Sequence, residues 1–345
     1  MEKIINYSDL LSVFKNLNNF IIIYHNFDQI YKKIINPQEI QNLALLNIRC
    51  IHPPKLFFFK VKDILTSFTS VEKILLLDVK FCDLKAIRIL DNIFIGEEYV
   101  DEKYKIYKEN TLIISSDCIN PQLSCFCSIV GGRPYVEKGD GSDLNISFVD
   151  ENNLILEAFT QKGEEFLKEN FNEFEEPTKN DYLKRNSVRV VSERKIYEFN
   201  KEYIKEDKKN KHYLTLKNTY ELESIWEKES EKCVQCGGCN FICPSCYCFL
   251  IREASKDYKD QHRDKVWDVC HFTGYSRVAG GANPRKYKYQ RFRNRYQCKF
   301  VYRYENFNMY ACSGCGRCIE VCPGKIDMRK VIRSLVLAKG EEVLV

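Results

Sequence analysis

The stretch that decides the fold is Cys233-Val-Gln-Cys236-Gly-Gly-Cys239-Asn-Phe-Ile-Cys243-Pro244. The same pattern returns as Cys312-Ser-Gly-Cys315-Gly-Arg-Cys318-Ile-Glu-Val-Cys322-Pro323. Three cysteines at intervals of two residues, followed by a fourth with a proline, are typical of [4Fe–4S] binding. Zinc sites usually combine two separate Cys-x2-Cys pairs, which matches two complete triplets poorly. The repeat therefore predicts two neighbouring iron–sulfur clusters.

The spacing also predicts which cysteine binds which cluster. Three closely spaced thiolates wrap one cube, whereas the fourth, beyond a short turn, reaches the other cube. We predict that one [4Fe–4S] cluster is bound by Cys233, Cys236, Cys239 and Cys322. The second is predicted to be bound by Cys312, Cys315, Cys318 and Cys243. Glycines between these cysteines allow the backbone to approach the inorganic core closely.

The composition is that of an ordinary globular chain except for cysteine. The 345 residues are 44% hydrophobic and 29% charged, with a net charge of +5, which excludes a disordered chain. No apolar run reaches the roughly 18 residues of a membrane span, and the N-terminus lacks the features of a secretory signal. Seventeen cysteines in a chain of this kind indicate metal ligands rather than disulfides.

A third site is predicted in the first half of the chain. Cys82 and Cys118 each follow a predicted strand, and Cys125 and Cys127 come soon after Cys118. The carboxyl ends of parallel strands meet at one edge of a sheet, where α/β proteins bind ligands. These four thiolates are therefore predicted to hold a third [4Fe–4S] cluster. The alternative is a set of buried, unrelated thiols.

A fourth site is suggested by the cysteines in or near the insert between the two motifs. Cys246, Cys248, Cys270 and Cys298 could hold another cluster. His271 could replace Cys298 as a ligand, but we favour a packing role for it. The alternative is again a set of unrelated thiols. With this site included, sixteen of the seventeen cysteines are ligands, and Cys50 remains as a plain thiol.

The first half of the chain alternates predicted strands and helices. Strand-like segments at 74–79 and 111–115 flank a helical pattern at 84–94, which predicts a βαβ unit with parallel strands. Segments 145–149 and 154–159 flank a turn and predict a hairpin. A helix over 8–19 capped by Ser8 and a strand over 20–24 precede them, and residues 177–215 receive no assignment.

The second half changes character. A charged helix is expected over 220–232 and another over 327–338, on either side of the cysteine motifs. We predict an α+β protein, with an N-terminal α/β domain over residues 1–218. A mainly helical, ferredoxin-like domain with two [4Fe–4S] motifs follows over residues 219–345, and a 68-residue insert (244–311) separates the motifs.

A basic, aromatic segment lies at 284–303. It contains eight basic residues and no acidic ones: Arg285, Lys286, Lys288, Arg291, Arg293, Arg295, Lys299 and Arg303. We rank support of the anionic clusters first, since nearby charges tune cluster potentials. Docking of an acidic redox partner comes second, and nucleic-acid binding third. A solvated helix face is the remaining interpretation.

Motifs of other oxidoreductases are missing from the sequence. No Gly-x-Gly-x-x-Gly follows a strand, so we expect no nicotinamide or flavin site of that kind. No arrangement for nucleophilic catalysis is visible, and we predict no catalytic residues. The chain is expected to carry electrons between partners.

In combination, several stretches resemble a known family. They are Cys82–Ile87 with Leu90-Asp91, the Cys118 and Cys125-Phe-Cys127-Ser128 loop, Cys233–Cys248, Trp267–Cys270, Ala279–Gly281 with Pro284-Arg285, and Cys312–Pro323. The chain resembles the iron–sulfur electron-transfer subunit of anaerobic sulfite reductase, as well as the related beta subunit of sulfhydrogenase-type hydrogenases. It departs at Cys298, where related chains have histidine.

The resemblance implies a cytoplasmic electron-transfer subunit of an oxidoreductase complex. In the sulfite reductase interpretation, its partners are a flavoprotein reductase subunit that oxidises a nicotinamide cofactor and a sirohaem subunit that reduces sulfite to sulfide. In the alternative interpretation, the chain serves a NiFe hydrogenase of the sulfhydrogenase type. Neither interpretation implies nucleic acid or a membrane span.

Overall fold

The computed structural model describes residues 1–34, 36–65, 72–96, 98–203, 211–255 and 261–338. The strands are β1 (Glu2–Asn6), β2 (Ile21–His25), β3 (Tyr31–Lys33), β4 (Lys62–Ile64), β5 (Ile74–Val79), β6 (Thr111–Ser116), β7 (Leu144–Phe148), β8 (Asn153–Ala158), β9 (Phe249–Ser255) and β10 (Gln261–Trp267).

The helices are α1 (Tyr7–Lys15), α2 (Lys55–Phe58), α3 (Phe81–Phe94), α4 (Glu102–Glu109), α5 (Gln161–Phe171), α6 (Lys179–Asn200), α7 (Lys211–Asn218), α8 (Glu223–Ser230), α9 (Gly238–Phe241), α10 (Lys288–Gln297), α11 (Arg303–Phe307), α12 (Arg317–Glu320) and α13 (Met328–Ala338). A π-helical segment, Cys298–Tyr302, joins α10 to α11.

A mixed sheet of seven strands forms the N-terminal α/β region. Its order is β1-β8-β7-β6-β5-β2-β3. The central strands β2, β5, β6 and β7 are parallel, and antiparallel strands close both edges. The predicted βαβ unit is present as β5, α3 and β6, and the predicted hairpin is present as β7 and β8.

Both faces of the central strands are buried, which explains apolar runs such as Ile74–Leu77 and Leu112–Ile114. Leu75 and Leu77 of β5 pack on one side of the sheet against α1 and α5 residues. Leu76 and Val79 pack on the other side against α3. The carboxyl ends of β5 and β6 therefore emerge together, directly before Cys82 and Cys118.

The start of α1 differs from the prediction. Asn6, not Ser8, caps this helix, because its side-chain oxygen accepts a hydrogen bond from the Asp9 backbone N–H. Ser8 lies inside the first turn. Helix α4 precedes β6 and was not expected from the sequence.

Helix α6 occupies part of the stretch that received no assignment. Thr178 and Asp181 form a reciprocal capping box at its start. Few apolar residues line its buried side, where Ser192, Ile196 and Asn200 are buried. A sparse stripe of this kind gives little helical periodicity in the sequence.

The second region is not purely helical. Within the insert, β9 and β10 form an antiparallel hairpin, and β10 pairs with β4 from the N-terminal region. The two regions thus share a three-stranded sheet. The expectation of a mainly helical domain missed this hairpin, since its strands alternate apolar and charged residues only weakly. The boundary at residue 218 stays a prediction, and residues 339–345 of that domain lie outside the described part.

Candidate iron–sulfur site

The two cysteine motifs adopt the same local backbone. Gly237 and Gly316 are left-handed, with φ of 74° and 77°, and each directly precedes a one-turn helix, α9 or α12. Two positions earlier, Gln235 and Gly314 are also left-handed. The sequence repeat is therefore a structural repeat, and each triplet of cysteines curves around its own concave loop.

The first predicted ligand set lies around one pocket. Its lining includes Cys233, Cys236, Cys239 and Cys322, and it encloses about 520 Å³, including some open solvent. Cys322 of the second motif thus lies beside the first triplet, Cys318 of the second motif also lines this pocket, and the choice of Cys322 as the fourth ligand stays a prediction. Cys236 is exposed at the rim, whereas Cys233, Cys239 and Cys322 are half-buried.

The second predicted set is more deeply enclosed. Cys243 acts electrostatically on both Cys312 and Cys318, and Cys315 acts on the same two thiols. Burial raises the pKa of Cys312 to about 11 and that of Cys318 to about 12. Without metal these thiols hold their protons, and iron would displace them on binding.

The third predicted set lies against the second. Cys118, Cys125 and Cys127 interact with one another electrostatically. Cys82, in the first turn of α3, has Cys315 as a neighbour. The N-terminal loop therefore brings its thiols to the edge of the dicluster region.

Close backbone packing joins these two regions. The Phe126 N–H donates to the Gly314 carbonyl oxygen at 2.8 Å. A Cβ on Gly314 would lie 2.5 Å from Cys127 backbone atoms, and one on Gly316 would lie 2.4 Å from the Ser124 carbonyl oxygen. These glycines admit the N-terminal loop, a role that the sequence did not reveal.

Arg49 lies at the junction of the second and third sets. Its side chain is 2% exposed, and Nε donates to the Cys315 carbonyl oxygen. Its charge also acts on Cys82, Cys118 and Cys125, lowering the pKa of each against the larger effect of burial, which raises it. The buried Arg49 guanidinium therefore interacts with predicted ligands of both the second and the third set.

Helix α6 binds the loop that carries Cys118, Cys125 and Cys127 through side-chain hydrogen bonds. Asn200 donates to the Cys125 carbonyl oxygen at 2.9 Å. Arg189 binds Asp117, the residue before Cys118, through two hydrogen bonds. The helix that was missing from the sequence prediction thus positions the third set.

The fourth predicted set is divided. Cys248 and Cys270 interact with each other, which lowers the pKa of Cys248 to about 6 and raises that of Cys270, and Cys298 lies close to both. Cys246 instead interacts with Cys243 of the second set. The structure brings three of these thiols together and places Cys246 between them and the second set. The π-helical segment begins at Cys298, and such segments are frequent at functional sites.

The basic segment separates into a buried part and a surface part. Arg291, Arg293, Arg295 and Lys299 are buried. Burial opposes the charge of Lys299, but Cys243, Cys246 and Cys298 outweigh it and raise its pKa. Arg295 is affected in the same way by Cys239, Cys318, Cys246 and Cys243. These contacts are consistent with the first-ranked interpretation, support of anionic clusters.

Unpartnered nitrogen atoms provide a test of whether clusters fit here. Among the described side chains, Arg49 Nη1, Arg295 Nε and His271 Nε2 are buried without a hydrogen-bond partner. Buried donors normally have acceptors, and cluster sulfurs accept hydrogen bonds. All three lie beside predicted ligands, so the residues present fit anionic iron–sulfur groups.

The remaining candidates have other surroundings. His271 is buried near Arg291 and Arg295, and burial together with these cations lowers its pKa to about 3. Cys50 is fully buried near Arg317 and Asp83, and burial raises its pKa. Within the described part, no group of three His, Cys, Asp or Glu side chains could hold a single ion. A [4Fe–4S] cluster is not a single ion: it contains four iron atoms, and cysteine thiolates are its ligands.

Comparison with known proteins decides the family. Residues 232–326 match the 4Fe-4S dicluster domain. Over 322 residues the chain is 30% identical to sulfhydrogenase 2 subunit beta of Pyrococcus furiosus, and the match covers 90% of each chain. The chain belongs to the sulfhydrogenase beta-subunit family. No solved structure matches it.

The dicluster domain implies two [4Fe–4S] clusters, which confirms the cofactor prediction. This member of the sulfhydrogenase beta-subunit family is an iron–sulfur protein of the electron-transfer class. The relative supports the hydrogenase interpretation better than the sulfite reductase interpretation. Among the described residues, no helix combines the length and apolar character needed to cross a membrane.

Sequence reasoning missed several charged residues of the site. Arg49 carries no motif, and its contact with Cys315 joins residues 266 positions apart. Arg317 lies within the second motif but binds Asp83 of α3. Only its position between two ligand cysteines could have drawn attention to it.

Proposed function

We propose that this chain is the electron-transferring beta subunit of a sulfhydrogenase-type complex. The observation that carries the proposal is the similarity to a sulfhydrogenase beta subunit, which covers 90% of both chains. Bound [4Fe–4S] clusters supply one-electron transfer without bond making. The protein's own residues bind, shield and charge-compensate these clusters.

We further propose the ligand sets predicted from the sequence. The shared pocket of Cys233, Cys236, Cys239 and Cys322 supports the first set. The interaction of Cys243 with Cys312 and Cys318 supports the second. Cys82, Cys118, Cys125 and Cys127 are proposed for a third cluster, and Cys246, Cys248, Cys270 and Cys298 for a fourth.

Anaerobic sulfite reductase remains the second candidate. Its support is the set of sequence motifs that resembles the electron-transfer subunit of that enzyme. Both candidates use the same electron-transferring role and differ in the catalytic partner. The proposed division into domains at residue 218 is common to both.

Iron and sulfide quantitation on anaerobically purified protein tests the ligand sets. Eight irons per chain indicate the ferredoxin pair alone, twelve add one further site, and sixteen support all four. Cys322→Ser is expected to lose about four irons, and Cys50→Ala, the control, none. A colourless preparation containing zinc would contradict the proposal.

Purification of the native complex tests the function. Nickel in the complex, with hydrogen oxidation coupled to reduction of this chain, supports the sulfhydrogenase assignment. Sirohaem and sulfite reduction in its place would support the second candidate and overturn the first.

A further inference from the structure

One cysteine stands apart in its exposure. All seventeen cysteines lie in the described residues, and Cys236 is the single exposed one. The predicted ligands of the second and third sets are buried or half-buried. The first ligand set therefore comes nearest to the protein surface, at Cys236.

Apolar side chains surround this position. Val234 is 65% exposed, Val321 is 43% exposed and Phe241 is 37% exposed. A Cβ on Gly238 would contact both the Cys236 sulfur and Val321, which places Val321 beside Cys236. Val234 and Phe241 lie two and five residues from Cys236 along the chain. Exposed apolar residues clustered around one point mark interaction surfaces.

Basic side chains flank the apolar ones. Segments 231–236, 284–288 and 321–325 carry five basic residues and one acidic residue, namely Lys232, Arg285, Lys286, Lys288 and Lys325 against Glu231. Lys288 Nζ donates to the Glu231 carbonyl oxygen at 2.9 Å. A Cβ on Gly324 would lie 2.2 Å from the Lys232 carbonyl oxygen. The three segments therefore adjoin one another.

The buried and exposed parts of the basic segment have different surroundings. Arg295 and Lys299 interact with predicted ligands in the interior. Lys286 is exposed, and Lys288 lies at the edge beside Cys233. Charge compensation accounts for the buried members and for Lys288, which acts on Cys233, but not for the exposed Lys286.

We propose that these three segments with Phe241, the Cys236 face, dock an acidic electron-carrier protein. The apolar centre gives close contact, and the lysines steer a negatively charged partner into place. One electron leaves the carrier and enters the holoprotein, with no bond formed or broken. This inference rests on the proposed electron-transfer function and identifies the surface that it uses.

The test measures binding of an oxidised, acidic two-cluster ferredoxin to the anaerobic holoprotein by calorimetry. Wild-type affinity is expected to fall with rising salt, because surface charges are screened. The double variant Lys232→Glu/Lys325→Glu is expected to bind about tenfold more weakly or worse. Lys33→Glu/Lys179→Glu, which reverses two exposed lysines of the N-terminal region, is the matched control and keeps wild-type affinity.

Reduction by methyl viologen distinguishes the docking proposal from the proposed electron-transfer function. With excess reduced viologen, wild type and both double variants should reach the same final extent of reduction, since this small donor needs no protein docking; the rate is not compared, because viologen is a cation and responds to the reversed charges. Wild-type affinity of Lys232→Glu/Lys325→Glu for ferredoxin would overturn the docking proposal alone. The docking proposal would also be overturned by a second outcome. In that outcome the wild-type protein binds duplex DNA, Lys232→Glu/Lys325→Glu loses this binding, and ferredoxin binding is the same in both proteins. Failure of viologen to reduce wild-type protein would overturn the proposed function as well.

Discussion

Arg49 donates a hydrogen bond from Nε to the backbone carbonyl oxygen of Cys315, which ties the N-terminal region to the second cysteine motif. Its Nη2 also binds the Glu320 carboxylate at 2.7 Å. The side chain is buried, and Nη1 has no partner among the described groups. A cation is therefore held in the protein interior where predicted ligands of two sets converge.

Replacing Arg49 with Gln should weaken this junction. The change removes the charge and leaves the Cys315 carbonyl oxygen without its donor, which costs about 1–3 kcal/mol. Anaerobic urea unfolding should show a lower midpoint. Redox titration should show the signals of the adjoining clusters moving to lower potential, because reduction adds negative charge beside a lost cation.

Two control variants separate charge from packing at this position. Arg49→Lys retains the charge and should retain most of the potential while losing stability. Arg88→Gln changes an exposed arginine of α3 and should leave both measurements near wild type. Equal potentials in Arg49→Gln and wild type would contradict the electrostatic role.

Gly314→Ala should prevent the loop around Cys127 from packing against the second cysteine motif. The residue has a φ of 67°, and its Cβ would overlap the Cys127 backbone. Strain and overlap together should cost about 2–5 kcal/mol, since left-handed backbone costs about 1–2 and overpacking adds about 1–3. Thermal unfolding of the holoprotein measures the loss.

Gly274→Ala is the matched control for this change. Gly274 has no neighbour within 4 Å of the added Cβ and does not have a left-handed backbone. The variant should unfold near the wild-type temperature. Equal stability of the two alanine variants would show that the loop does not require the glycine.

Arg317 and Asp83 form a buried ion pair between α12 and α3. Two hydrogen bonds of 2.6 and 2.8 Å join them, and both side chains are at most 1% exposed. Arg317→Met should destabilise the protein by about 3–5 kcal/mol, because Asp83 is left as an uncompensated buried charge. Chemical unfolding checks this.

The double variant Arg317→Met/Asp83→Asn should be less unstable than the sum of the single variants, since coupled residues are not additive. Strict additivity would contradict the pairing. Lys201→Met, which removes an exposed ion pair with Glu198, should leave the midpoint unchanged.

Cys298 tests the proposed fourth cluster. Cys298→Ala should lose about four irons per chain, whereas Cys298→His should keep them, because imidazole also binds iron. Iron quantitation with electron paramagnetic resonance measures both. The same iron content in Cys298→Ala and wild type would remove Cys298 from the ligand set.

The sequence predicted the elements with strong local signals. The strands predicted over 74–79 and 111–115 contain the apolar runs Ile74–Leu77 and Leu112–Ile114, and the hairpin has a recognisable turn. Helix α6 was missed because its buried stripe includes Ser192 and Asn200 in place of apolar residues. The β9–β10 hairpin was missed because its strands alternate apolar and charged residues only weakly, and its pairing with β4 joins it to the other region.

By itself, the sequence determined the chemistry of the site: thiolate spacing depends on neighbours only a few residues apart, and the repeated motif therefore specifies two iron–sulfur clusters. Only the tertiary structure decided what surrounds them. Arg49, Asp83 and Asn200 reach the cysteine loops through contacts between residues 75 to 266 positions apart. Such contacts arise from packing of sheet, loop and helix, which local sequence patterns do not encode.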